Sequence, residues 1–159
     1  QNAALFDSIT VGENVAFPMR RHTTLTVAQV QDRARQLLTE VGLGDEYEAM
    51  PADLSGGMRK RAGLARALAL EPSILLADEP SAGLDPVTSA EIDRLLVDLK
   101  QRAQTTMIVV THNIPSARTI GDRLAFLHEG RILAEGTAHD LDESDSPLVR
   151  EFMQSEGSG

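Results

Sequence analysis

Cysteine is absent from the 159 residues, which excludes a disulfide framework and any thiolate-ligated metal site and suits a reducing cytoplasm. Cations are few. Lys and Arg number 15 against 24 Asp and Glu, and the net charge of -9 argues against a surface that collects phosphate backbones, so no nucleic-acid partner is expected. No run approaches the ~20 apolar residues that a membrane-crossing helix needs. The opening QNAALFDSIT lacks the basic-then-apolar order of a signal peptide, the chain starts at Gln1 and not at a methionine, and no internal repeat is visible. What is there suffices for one domain with a real core: the length falls within the usual ~100–200 residues per domain, and 42% of the residues are hydrophobic.

Thr10 and Glu13 have the spacing of a capping box and predict a brief helix within DSITVGENVAFPM. Thr26 and Gln29 repeat the pattern ahead of an amphipathic helix whose stripe is Val27, Val30, Ala34, Leu37, Leu38 and Val41, ended by Gly42 or Gly44. Ser55 caps a third helix, MRKRAGLARALAL, closed by Glu71-Pro72. SILLAD then reads as a short strand buried on both faces, because no polar face interrupts it. Asp85-Pro86 opens a helix with Ile92, Leu95, Leu96 and Leu99 inward, and Thr106–Val110 is a second buried strand ending at Thr111-His112-Asn113. Strand, crossover helix and strand make a parallel βαβ unit, with both polar strand ends on one edge, where open α/β sheets hold ligands. Residues 123–134 read as a hairpin turning at Glu129-Gly130, and the tail carries a short amphipathic piece around Leu148, Val149, Phe152 and Met153. The expected organisation is residues 1–11 leading in, a mostly helical part at 12–69, a sheet-containing part at 70–137 and a tail at 138–159.

Carboxylates at the end of a buried strand suit phosphoryl chemistry, in which one acid holds Mg²⁺ and another orients the attacking water. Neighbouring strand residues point to opposite sides, so Asp78 is assigned to the metal and Glu79 to the water. His112, closing the neighbouring strand, is placed to hydrogen-bond the γ-phosphate. Asp-Glu-Pro alone caps many turns, and a lone strand-end histidine is usually structural; their joint placement is what points to chemistry. Ser55, Gly56 and Gly57 open a helix where free amides and the helix dipole favour an anion. The cluster Arg59, Lys60, Arg61 and Arg66 reads as a solvated face.

LSGGMRKRAGLARALALEPSILLADEPSAGLDPVTS, with the later VVTHN, resembles the nucleotide-binding subunit of an ABC transporter. On that resemblance Leu54 through Met58 matches the signature, with Met58 where glutamine is commonest. Ile74 through Asp78 matches the Walker B strand, Glu79 the catalytic glutamate, Ser81 through Asp85 the D-loop and His112 the switch histidine. Gln1 matches the Q-loop glutamine, which implies Mg²⁺ contact. The resemblance implies a P-loop NTPase (RecA-like) α/β parallel-sheet core with a helical signature subdomain. It also implies ATP and Mg²⁺ as cofactors, and a second copy packed head to tail so that Ser55, Gly56 and Gly57 meet the other copy's γ-phosphate and Asp85 reaches across. A membrane permease is the implied partner, with Phe6 or Phe17 as a contact guess and the cytoplasmic face of the membrane as the place. ALFDSITVGENVAFPMR and PLVREFMQSEGSG look like the ATPase of bacterial phospholipid-trafficking systems, which implies lipid transport and an MCE-domain lipid-binding partner.

One departure is large. No G-x-x-x-x-G-K-[ST] occurs in the sequence, and this loop supplies the phosphate-binding amides, lysine and Mg²⁺ hydroxyl. The expectation drawn from it is a truncated subunit, beginning at the Q-loop with its nucleotide-binding half absent, inactive in isolation and left with an open core. Two other readings are a soluble ABC ATPase of repair or translation, without support from a second nucleotide-binding domain or a long coiled coil, and a catalytically silent interaction module.

Overall fold

In a computed structural model the chain is described at residues 3–103 and 105–155. Helix α1 (Val11–His22) begins with the expected reciprocal cap: Thr10 Oγ1 accepts from the Glu13 amide at 3.2 Å, and the Glu13 carboxylate accepts from the Thr10 amide at 3.0 Å. Thr26 and Gln29 repeat it at α2 (Val27–Glu40), which ends where Gly42 takes φ +74°, a region that favours glycine. Two single 3₁₀ turns, Gly44–Glu46 and Pro51–Asp53, carry the chain to α3 (Gly56–Leu68), capped by Ser55 on the Met58 amide.

Strand β1 (Ile74–Asp78) is followed by α4 (Pro86–Ala103), whose start is held by Asp85 accepting from the Val87 and Thr88 amides at 3.0 Å each. Strand β2 (Thr106–Val110) pairs parallel to β1, Ile74 opposite Thr106 and Asp78 opposite Val110, so the expected βαβ unit forms. Helix α5 (Ile114–Ile120) is capped by Asn113. Strands β3 (Leu124–His128) and β4 (Arg131–Gly136) make a separate antiparallel hairpin through Glu129 and Gly130, both at positive φ. Helices α6 (Ala138–Asp142) and α7 (Pro147–Gln154) close the chain.

Apolar side chains of α1, α2 and α3 share one cluster with Leu75 of β1 and Leu99 of α4. A second cluster joins Ile92, Leu96 and Ile120 beneath the sheet, and a third places Ile114 against Leu141, Val149 and Met153. The expectation of an open, partial core is corrected for one side only: α1, α2 and α3 close with one face of the sheet on an apolar cluster, while the other sheet face stays uncovered. The strands were expected to be buried on both faces. Instead Leu75, Met107 and Val109 face the helices while Ile74, Leu76, Ile108 and Val110 stay exposed, because α3 and α4 cover the same side of the sheet.

Candidate functional site

Glu79 leaves the end of β1 in a left-handed backbone conformation, φ +47°, which is costly for a residue with a Cβ and marks a segment over-determined by its surroundings. Three contacts hold the peptide there. The Glu79 amide donates to the Val110 carbonyl at 2.8 Å, and the Glu79 carbonyl accepts from the Ala82 amide at 3.2 Å and from Lys60 Nζ at 3.1 Å. The carboxylate is anchored as firmly. Its Oε1 accepts from the His112 amide at 2.8 Å and lies 2.6 Å from His112 Nδ1, while Oε2 accepts from Thr111 Oγ1 at 3.1 Å.

Desolvation pushes the Glu79 carboxyl up. The hydrogen bonds from the His112 ring, the His112 amide and the Thr111 hydroxyl, together with the charge on His112, outweigh it and leave the group below the ordinary carboxylate range. An ionised Glu79 therefore calls for a hydrogen on Nδ1 of His112, which leaves Nε2 as the outward-facing nitrogen. The imidazole is mostly exposed and the carboxylate mostly buried, so the pair presents one fixed acceptor and one accessible ring nitrogen.

The structure brings the start of α3 against the loop that follows Glu79. A Cβ added at Gly57 would fall 2.6 Å from Thr88 Cγ2, and one at Gly56 would lie 3.4 Å from Leu84, so glycine there lets α3 approach the start of α4. Asp85 is engaged by Thr88, whose hydroxyl and amide hold its carboxyl below the ordinary range. Asp78 ends β1 beside a small cavity it lines with Lys60 and Pro80. Gln1 lies outside the described residues.

The basic cluster is not a solvated face. Lys60 reaches the Glu79 carbonyl, Arg59 the Leu54 carbonyl, Arg61 pairs with Glu91 at 2.5 Å, and Arg66 donates to the Ala3 and Ala4 carbonyls. Sequence reasoning missed Lys60 and Thr111 as neighbours of the site. The one signal for Lys60 was a cation one helical turn after Gly56; for Thr111 it was a hydroxyl beside the strand-end histidine.

A family profile described as ABC transporter matches residues 1–82, just over half of the chain. The chain belongs to the ABC transporter family. A probable ribonucleotide transport ATP-binding protein, mkl, of Mycobacterium tuberculosis (strain ATCC 25618 / H37Rv) is 44% identical over 153 residues, 96% of this chain and 43% of that protein. The intermembrane phospholipid transport system ATP-binding protein MlaF of Escherichia coli (strain K12) is 38% identical over 159 residues, 100% of this chain and 59% of that protein. Among solved structures, the ATP-binding cassette MJ0796, a dimer in a post-hydrolysis state bound to ADP and Pi, superimposes with a TM-score of 0.75 at 34% identity, covering 86% of this chain and 60% of that one.

These matches correct the expectation of a truncated, inactive subunit with its nucleotide-binding half absent. The relatives align along 96% and 100% of this chain, so it is placed in the family along its length and the inactivity drawn from truncation is withdrawn. The chain spans 43% and 59% of the length of those two relatives. The family implies ATP and Mg²⁺. Mg²⁺ is commonly held by one or two carboxylates, with water and phosphate oxygens completing its shell, and Asp78 at the strand end suits that mode. Among the described residues no group of three or more His, Asp or Glu could hold a metal by itself.

Proposed function

We propose that this chain supplies hydrolytic residues of an ABC-transporter ATPase that couples ATP hydrolysis to transport. The observation that carries the reading is the Glu79 carboxylate, held ionised at the end of the parallel strands by His112 and Thr111. A carboxylate fixed in this way is a general base or orienting acceptor for a water, and the outward Nε2 of His112 is the nitrogen free to meet a phosphate oxygen. Asp78 would hold Mg²⁺, which when bound neutralises charge on the phosphates. Ser55, Gly56 and Gly57 offer helix-start donors to phosphate, with Asp85 close by at the start of α4. Residues 12–69 are the part we assign to the signature subdomain.

Two copies facing each other are the proposed working unit, a reading supported by the dimeric state of the solved cassette. A membrane permease would take up the resulting motion, and no helix among the described residues is long and apolar enough to cross a membrane by itself. Phospholipid is the cargo class we favour, since the phospholipid-system relative aligns over 100% of this chain, with an MCE-domain protein as a further partner. The ribonucleotide named for the mycobacterial relative is the second reading, favoured by its 44% identity.

Mg-ATP turnover by the purified chain and by its Glu79→Gln form tests the hydrolytic reading. General-base loss commonly costs about 10²–10⁴-fold, so a drop of at least about a hundredfold is expected. Equal rates in the two forms would sink the assignment of Glu79. Co-purification with a permease that carries phospholipid, compared with one that carries nucleotide, decides between the cargo classes.

A further inference from the structure

Three side chains the hydrolytic reading does not use form a buried polar cluster behind Glu79 and His112. Asp93 of α4, Ser116 of α5 and Ser81 of the loop after β1 are each at most 5% exposed. Ser116 Oγ donates to Asp93 Oδ2 at 2.7 Å and lies 3.5 Å from Ser81 Oγ, while Asp93 Oδ1 has no partner. Ser89 of α4 also donates to the Ser81 carbonyl at 3.3 Å.

The cluster connects to the site along two routes. Ser81 lies two residues after Glu79, on the loop whose backbone fixes the Glu79 peptide. On the other side the Ser116 amide donates to Asn113 Oδ1 at 2.9 Å, the Asn113 amide donates to Thr111 Oγ1 at 3.1 Å, and Thr111 Oγ1 donates to Glu79 Oε2 at 3.1 Å. We propose that Asp93 is a positioning residue for the Glu79–His112 pair, acting through Ser116 and Ser81 on the two segments that carry the pair. This deepens the hydrolytic reading and rests on it for its meaning in turnover.

The chemistry gives the cluster a direction. An ionised Asp93 only accepts, so Ser116 must give it its single hydrogen and can then only accept from Ser81; both segments are drawn toward α4. Burial pushes the Asp93 carboxyl up, with the Ser116 hydrogen bond acting against it. A protonated Asp93 would donate to Ser116 and turn that hydroxyl toward Ser81. The titratable groups lining the same cavity, of about 450 Å³, are Arg94 from α4, Glu79 from the loop after β1 and His112 from the end of β2; α5 contributes none there. A purely structural buried aspartate would matter to global stability alone, whereas a positioning one acts locally.

Amide hydrogen exchange on the whole chain separates the two. The probe is the His112 amide, bonded to Glu79 Oε1, and the reference is the Val30 amide in α2, bonded to Thr26. In Ser116→Ala and Asp93→Leu, His112 protection is expected to fall about tenfold against Val30, the factor that about 1.4 kcal/mol of local opening produces. Asp93→Asn keeps an acceptor for Ser116 and is expected to hold protection within about twofold. Protection at His112 that is unchanged in both disrupting variants, or that falls in step with Val30, overturns the proposal. In Mg-ATP turnover, Ser116→Ala is expected to lower kcat about tenfold with KM unchanged, the split that marks lost organisation of the reacting groups. If the unsubstituted chain gives no turnover, the hydrolytic reading fails, while the exchange result still decides the positioning claim.

Discussion

Thr111 contributes one of three donors on the Glu79 carboxylate, and its loss should be felt as charge as well as stability. A hydrogen bond to a charged group is worth about 1.5–3 kcal/mol, so Thr111→Val is expected to destabilise the chain by about 2 kcal/mol in urea denaturation at neutral pH. The same substitution should raise the Glu79 carboxyl, read by carbon-13 titration. Its folded value sits below the ordinary range, so its contribution to stability is present above the unfolded value and is lost as pH falls through the folded one. Thr111→Val therefore shrinks that acid loss, and the stability difference between the two forms should narrow as the solution is acidified. The placement of Asp78, Glu79 and His112 at neighbouring strand ends was legible, because polar residues closing apolar runs stand out in the one-dimensional pattern. Lys60, Thr111 and Asp93 were not, since each reaches its partner across a gap of 19 to 32 positions that only the folded chain closes.

At the scale of elements, the helices were the more legible part, because a capping box is written in four adjacent residues. Thr26→Ala removes the Gln29 cap interaction on an exposed helix end and is expected to cost about 1 kcal/mol in thermal or urea unfolding. Asn14 carried no such signature. Fully buried in α1, it accepts from the Phe6 amide at 2.7 Å and donates to the carbonyls of Phe6, Ile9 and Thr10, fastening the segment before α1 onto the helix. Asn14→Leu would leave those buried backbone groups short of partners, and a loss of about 3 kcal/mol is expected, with Thr26→Ala as the milder reference in the same assay. The strands were misread for the opposite reason: an unbroken apolar run such as ILLAD carries no alternation, so it cannot say whether one face or two will be covered.

For the molecule as a whole, that uncovered face is a row of exposed apolar side chains on one sheet. Leu76 is 74% exposed and Val110 60%, with Ile74 and Ile108 beside them on the same side of the two-stranded sheet. The clusters on the other side bury the alternate residues, so the sheet holds together through α3 and α4 and gains nothing from the exposed row. Contiguous apolar surface on a sheet with free edges favours association, while the net charge of -9 opposes it through mutual repulsion. Raising salt screens the repulsion within about 10 Å and leaves the apolar attraction intact. The chain is therefore expected to bind a hydrophobic fluorescent dye, and to associate more as salt rises from low to about 0.15 M, followed by light scattering. Leu76→Gln with Ile108→Gln should weaken both signals and leave the unfolding midpoint nearly unchanged, because neither side chain is part of a buried cluster. Dye binding and scattering that persist undiminished in the double variant would place the sticky surface elsewhere, with the exposed β3–β4 hairpin residues Leu127, Ile132 and Leu133 as one candidate.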